Sequence, residues 1–260
     1  MTTNGMFVRE SGQGKPVVLV HGFPGNAQDW GRVAAALAAL HRVIQPDLLG
    51  FGQSAKPSSF AEVWVEAQAA ALEAQLDARK IERFALVGHD YGGPVAVALA
   101  ARRPERVTHL VLSACNVFRN PPLQPPMRLL PVPGVGRAVE AGLFSASAIK
   151  LMGKSGTRQG DLYPVTNPPD ELRSLRLIFA NALRDLERFG VVEDALPSLT
   201  MPVLVAWGER DPFFPIAHAQ RITASVPHGR LKVYPGVGHF PHIETATQYA
   251  ADIHDLIVTY

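Results

Sequence analysis

The stretch Phe84-Ala85-Leu86-Val87-Gly88-His89-Asp90-Tyr91-Gly92-Gly93 decides how the rest of the chain is read. Residues 84–87 form a short apolar run of the kind that makes a buried strand, and residues 91–102 have the length and apolar character of a helix. Asp90 stands at the junction, with Gly88 and Gly92 two residues to either side. Where a strand turns sharply into a helix, the flanking backbone comes too close for side chains, so both places need small residues. An aspartate that only capped the helix would be content with the N–H groups of the first turn. It would not ask for glycines on both sides. The pattern therefore predicts a carboxylate held at a strained turn, where the positive end of the helix dipole favours an anion.

Outward from this junction the chain alternates. Residues 17–20, 42–45, 107–112, 203–207 and 231–234 read as strands, 28–40 and 60–79 as helices, and 245–258 as a closing helix. Apolar strands alternating with helices predict an α/β fold, a mostly parallel sheet with helices on both faces. Between about residues 116 and 196 no strand-like run occurs. Six prolines, from Pro121 to Pro133, are followed there by helical pieces such as 172–189. The expected division is a core of residues 1–115 and 197–260 with a helical cap of residues 116–196 folded over the carboxyl end of the sheet. A loop-rich extension of the core is the alternative.

Composition narrows the function classes. Of 260 residues 47% are hydrophobic and 18% charged, enough apolar matter for a large core and against disorder. The 25 Lys and Arg and 23 Asp and Glu are scattered, with no basic block to track phosphates. One cysteine, Cys115, rules out an intramolecular disulfide and fits a reducing, cytoplasmic setting. The first five residues lack the basic and apolar pattern of a signal peptide, and apolar runs such as 95–101 are too short to span a bilayer. His239 and His242 have no companion ligands at zinc-site spacing, so neither metal nor cofactor is expected.

Further motifs give the junction its company. His21-Gly22-Phe23-Pro24-Gly25, Asp47-Leu48-Leu49-Gly50-Phe51-Gly52-Gln53-Ser54, Gly208-Glu209-Arg210-Asp211 and Gly236-Val237-Gly238-His239-Phe240 each follow a predicted strand. With these, the sequence resembles the α/β-hydrolase superfamily over nearly its whole length, including the order nucleophile, acid, histidine. Aspartate at the nucleophile turn is similar to the epoxide hydrolase and haloalkane dehalogenase branches. The resemblance implies Asp90 as nucleophile, Asp211 as acid, His239 as base, and the backbone N–H groups of Phe23 and Tyr91 as oxyanion hole. Asp211 precedes Pro212 and could instead start a turn, and His239 could be a loop histidine. Asp194 is a second candidate acid and His242 a rival base. His21 and His89 read as structural supports of their turns, and His109 as a core or edge residue.

A carboxylate nucleophile selects its chemistry. With an ordinary pKa of about 3.9 it is anionic at neutral pH. Attack on an ester carbonyl would give a high-energy anhydride, whereas attack on a saturated carbon gives an ordinary ester that water can cleave. Epoxides and alkyl halides are such substrates. Epoxide opening needs a proton donor, and the one cap tyrosine is Tyr163, read either as that donor or as packing against Pro164. Halide release needs hydrogen-bond donors, and the resemblance to haloalkane dehalogenases implies a Trp after the nucleophile and an Asn or Trp elsewhere. Tyr91 and Phe23 stand there instead. A haloacetate enzyme would need arginines near the nucleophile, and the nearest downstream is Arg102. The His-Gly-Phe-Pro turn favours an epoxide hydrolase-like enzyme. The alternatives are a haloalkane dehalogenase-like enzyme, a divergent hydrolase or lyase, and a non-catalytic binding protein, which would not need the full Asp90, Asp211 and His239 set. Apolar cap residues (Leu129, Leu130, Val132, Leu143, Phe144, Leu151, Met152) serve mostly as cap core, with some facing the pocket. The expected partners are a small hydrophobic substrate and water, with no nucleic acid and no membrane, and a homodimer left open.

Overall fold

The computed structural model describes residues 5–158 and 169–260. Among them a sheet of seven strands runs through the molecule: β1 Val8–Ser11, β2 Lys15–Val20, β3 His41–Pro46, β4 Phe84–His89, β5 Val107–Ser113, β6 Val203–Gly208 and β7 Gly229–Tyr234. Their order is β1-β3-β2-β4-β5-β6-β7, parallel except for β1, which pairs antiparallel with β3. The short polar β1, of sequence Val-Arg-Glu-Ser, escaped the sequence reading because no apolar run marks it.

Eleven helices accompany the sheet among the described residues: α1 Gly31–Leu37, α2 Phe60–Val63, α3 Val65–Ala78, α4 Gly92–Arg102, α5 Val135–Leu143, α6 Ala146–Gly156, α7 Pro169–Arg184, α8 Gly190–Glu193, α9 Ile216–Ser225, α10 Pro241–Glu244 and α11 Ala246–Thr259. None is long and apolar enough to cross a membrane. Strand side chains alternate between the two faces, and burial follows that period. Val18, Val20, Ile44, Leu86, Leu110 and Leu112 pack with α3 and α4, while Val17, Leu19, Val43, Ala85, Val87 and Val111 pack with α1 and α11. Both faces of the central strands are buried, which is why β2 and β4 to β6 read as nearly continuous apolar runs.

Two predicted helices change on folding. Residues 28–40 become a 3₁₀ turn, Ala27–Trp30, followed by α1, which stops at Leu37 so that the chain can reverse into β3. The predicted helix 60–79 is broken at Trp64, whose backbone is extended at ψ 164°. The break frees the Val63 carbonyl, which accepts the Tyr91 hydroxyl at 2.5 Å.

Between β5 and β6 the described chain is helical, as the missing strand signal implied. Its apolar residues Phe144, Ile149, Leu175 and Ile178 belong to the same buried cluster as the α3 and α4 face of the sheet. Leu129, Val132 and Leu151, expected as interior residues there, are instead exposed, and Leu130 is buried. Arg119 fastens the insertion's two ends, with ion pairs to Glu193 and Asp194. Cys115 is fully buried just after β5, against Gly93 of α4, where a Cβ would strike its side chain.

Candidate active site

The turn between β4 and α4 takes the strained form that the glycines foretold. Asp90 has φ +48°, in the left-handed region that L-residues other than Asn and Asp seldom enter. A Cβ on Gly92 would lie 2.5 Å from the Val20 carbonyl oxygen, and one on Gly88 would strike the Gly92 carbonyl. The close approach of β2, β4 and α4 thus fixes glycine at both positions and aims Asp90 out of the sheet.

The three expected catalytic side chains converge. His239 Nδ1 lies 2.9 Å from Asp211 Oδ2, and His239 Nε2 lies 3.5 Å from Asp90 Oδ2. Asp211 Oδ1 accepts the N–H groups of Phe213 and Phe214, at 2.8 and 3.0 Å, so its orientation is locked by its own turn. The Phe23 N–H donates to Asp90 Oδ1 at 2.8 Å, which puts that half of the expected oxyanion hole directly on the Asp90 carboxylate. Tyr91, the other half, follows Asp90 as the residue before α4, where backbone N–H groups lack intrahelical partners.

Electrostatics bind the group together. Burial pushes the Asp90 carboxyl up, but the His239 hydrogen bond and charge, with His89 and the Phe23 N–H, outweigh it and hold the pKa below its ordinary value. Burial likewise pushes His239 down, while the carboxylates of Asp211 and Asp90 lift it further, to about 10. Both shifts run toward the charged forms, a protonated imidazole facing two carboxylates.

The rivals lie elsewhere. Asp194 is exposed and paired with Arg119. His242 is buried against Trp30 and His89, at ring-centroid distances of 4.2 and 4.3 Å, and its pKa is pushed far down by burial. It faces the protein interior. His21 and His89 act as supports: His21 Nε2 accepts the Leu48 N–H at 2.9 Å, and His89 Nε2 donates to the His239 carbonyl at 2.9 Å. His109 is a buried residue of β5. Tyr163 lies outside the described residues.

Above Asp90 is a cavity of about 140 Å³. Phe23, Trp64 and Tyr91 line it from one side, and Leu143, Phe144, Met152, Ile178 and Phe179 of the insertion from the other. Among the described residues no lysine or arginine lines it. The amides that do are engaged elsewhere, Asn116 with Phe118 and Gln124 with the Pro212 carbonyl. The Tyr91 hydroxyl is likewise committed to Val63. Trp64 and the Phe213-Phe214 pair were not singled out in the sequence. The pair could have been found as large apolar residues directly behind the acid turn, whereas nothing local marks the backbone break that brings Trp64 inward.

Against known proteins, the profile of the alpha/beta hydrolase family matches residues 17–252. The chain belongs to that family. Among its relatives is 2-hydroxymuconate semialdehyde hydrolase of Pseudomonas sp. (strain CF600), 30% identical over 96% of this chain and 89% of the relative. Another is cis-3-alkyl-4-alkyloxetan-2-one decarboxylase of Shewanella oneidensis, 30% identical over 88% and 77%. Haloalkane dehalogenase 2 of Mycobacterium bovis is 26% identical over 94% and 88%. A thermophilic esterase from Thermogutta terrifontis superposes with a TM-score of 0.80 at 24% identity, over 98% of this chain and 93% of that one, a likeness of fold. The α/β-hydrolase fold expected from the motifs is thus the fold observed. The names of these relatives span several chemistries.

Proposed function

We propose that this α/β hydrolase opens small, neutral, hydrophobic epoxides through an ester formed on Asp90. The observation that carries the reading is the carboxylate at the strand-to-helix turn, with one oxygen held by a backbone N–H and the other only loosely paired with His239. Oδ1 accepts the Phe23 N–H, while Oδ2 lies 3.5 Å from His239, too far for a strong hydrogen bond. Oδ2 attacks an epoxide carbon, the C–O bond breaks, and an alkoxide forms. Its proton comes from solvent, and the His239 imidazolium returns one to solvent because the new ester removes one of the charges that hold that proton. Tyr163 is the other donor that the sequence offers. Neutral His239 then takes a proton from water, and the hydroxide attacks the ester carbonyl carbon. Negative charge develops on Oδ1, where the Phe23 N–H already points. Collapse releases the diol, restores the Asp90 carboxylate and leaves the imidazolium as it began.

The apolar, cation-free lining of the described cavity supports an uncharged substrate and speaks against a haloacid. The decarboxylase relative is named for a strained four-membered ring, a kinship in ring strain with epoxides. A second reading, carbon–halogen hydrolysis, draws on the haloalkane dehalogenase relative. Against it, Phe23 offers no side-chain donor and the Tyr91 hydroxyl is taken by Val63. Incubation with styrene oxide-type epoxides and with bromoalkanes separates the two. Diol without halide release is expected, and halide release alone would replace the first reading with the second. A melting-temperature rise with ligand but no product would favour the binding protein.

A further inference from the structure

The histidine turn is built from a flexible sequence, Gly236-Val237-Gly238-His239, with Gly236 at φ +73°. Such a segment does not hold an imidazole in place by itself. Its anchors come from two places. One is the core, where His89 binds the His239 carbonyl and Asp211 binds the ring. The other is the end of α6 in the helical insertion. There the Gly156 carbonyl accepts the His239 N–H at 2.6 Å. Glu244, the last residue of α10, bridges the same two segments. Its Oε1 accepts the Gly238 N–H at 2.9 Å and its Oε2 accepts the Arg158 N–H at 3.0 Å. The fit is close: a Cβ on Gly156 would lie 2.5 Å from the Phe240 ring and 3.2 Å from that of Phe213, and one on Gly238 would strike the Gly156 carbonyl.

We propose that Glu244 is a positioning residue that clamps the histidine turn to the end of α6, so that His239 stands ready to activate water only while the helical insertion is docked. One carboxylate serves both sides of the seam, and two glycines remove the side chains that would hold the seam open. Misplacing a base by about 1 Å can cost on the order of a hundredfold in rate, so a loosened turn slows the step that needs the base. In its kinetic form the inference rests on the aspartyl-ester reading: ester formation uses Asp90 and is spared, whereas ester hydrolysis uses His239 and is slowed.

The test compares Glu244→Ala and Glu244→Gln with wild type, using a styrene oxide-type epoxide and intact-mass analysis of quenched enzyme. For Glu244→Ala, kcat falls at least tenfold, KM falls with it, kcat/KM changes little, and ester accumulates on Asp90. Glu244→Gln, which keeps one acceptor oxygen, falls between. A lower kcat at unchanged KM with no ester would overturn the proposal, since that is the signature of fewer folded molecules. Amide hydrogen exchange gives a readout without substrate. The His239 N–H bonds Gly156 and does not touch Glu244, yet its exchange should quicken at least tenfold in Glu244→Ala along with that of Gly238 and Arg158. Unchanged exchange at His239 would reduce Glu244 to a local brace and sink the clamp. If His239→Gln forms no ester with any substrate, the aspartyl-ester reading is what fails, and the exchange result still decides the clamp.

Discussion

The backbone N–H of Phe23 donates to Oδ1 of Asp90 at 2.8 Å, joining two residues 67 positions apart. A backbone donor cannot be removed by changing its own side chain, but Gly22 offers a lever. A Cβ there would lie 2.8 Å from Asp90 Oδ1 and even closer to the Asp90 Cβ. Gly22→Ala should therefore push the turn off the carboxylate and lower kcat by about 10²–10³-fold, the usual loss for one oxyanion donor. Steady-state kinetics beside a melting curve check this, and full activity in the folded variant would refute it.

The side chains proposed as catalytic should separate by step. Asp90→Ala is expected to abolish turnover. His239→Gln should form the ester and stall, adding the mass of substrate to the protein. Asp211→Asn keeps an acceptor for the Phe213 and Phe214 N–H groups but favours the wrong tautomer of His239, with an expected loss of about 10⁴ in kcat. Rapid-quench kinetics should place that loss in ester hydrolysis, and an equal loss in ester formation would argue against the assigned roles.

Stability should depend on pH with two limbs. His239 is lifted from 6.5 to about 10, so the stability it contributes is complete below pH 6.5 and is lost as pH rises toward 10. His89 and His218 are lowered by burial to about 4, and their stability is present above pH 6.5 and lost as pH falls toward 4. The depressed Asp90 carboxyl adds a loss below its ordinary 3.8. The maximum should fall near pH 6.5. Melting temperatures across the range from about pH 4 to about pH 10 test this, and His239→Gln should flatten the alkaline limb while sparing the acid one. An unchanged alkaline limb in that variant would show that His239 is neutral at rest.

Two glycines should respond in opposite ways to the same substitution. Gly92→Ala forces a Cβ against the Val20 and His21 carbonyls at 2.5 and 2.6 Å, and should cost about 3 kcal/mol or prevent folding. Gly142 lies in α5, where an added methyl group would meet nothing within 4 Å, and Gly142→Ala should stabilise by about 0.5–1 kcal/mol. Chemical denaturation compares them.

Much of this was legible in the residues, and the reasons are physical. The central strands, buried on both faces, are written as nearly unbroken apolar runs, so β2 and β4 to β6 announce themselves. Asp90, Asp211 and His239 sit in turns that need glycine or proline nearby, and that local chemistry marks their places. What escaped depends on contacts distant in sequence. Polar β1 is a strand because β3 offers it an edge. Trp64 lines the cavity because a backbone break turns it there. Glu244 becomes significant only when the end of α6, more than eighty residues earlier, comes to rest beside it.

The burial of Cys115 bears on how long such an enzyme would survive its own work. Epoxides and alkyl halides alkylate thiols, and a thiolate beside the cavity would be spent on the substrate instead of on turnover. The one cysteine of this chain is sealed behind α4, the helix that follows Asp90, and burial pushes its thiol well above the usual range, so it stays protonated. On the proposed reading, its soft nucleophile is thereby hidden from the electrophiles that would reach Asp90, and self-inactivation through sulfur is closed off by packing.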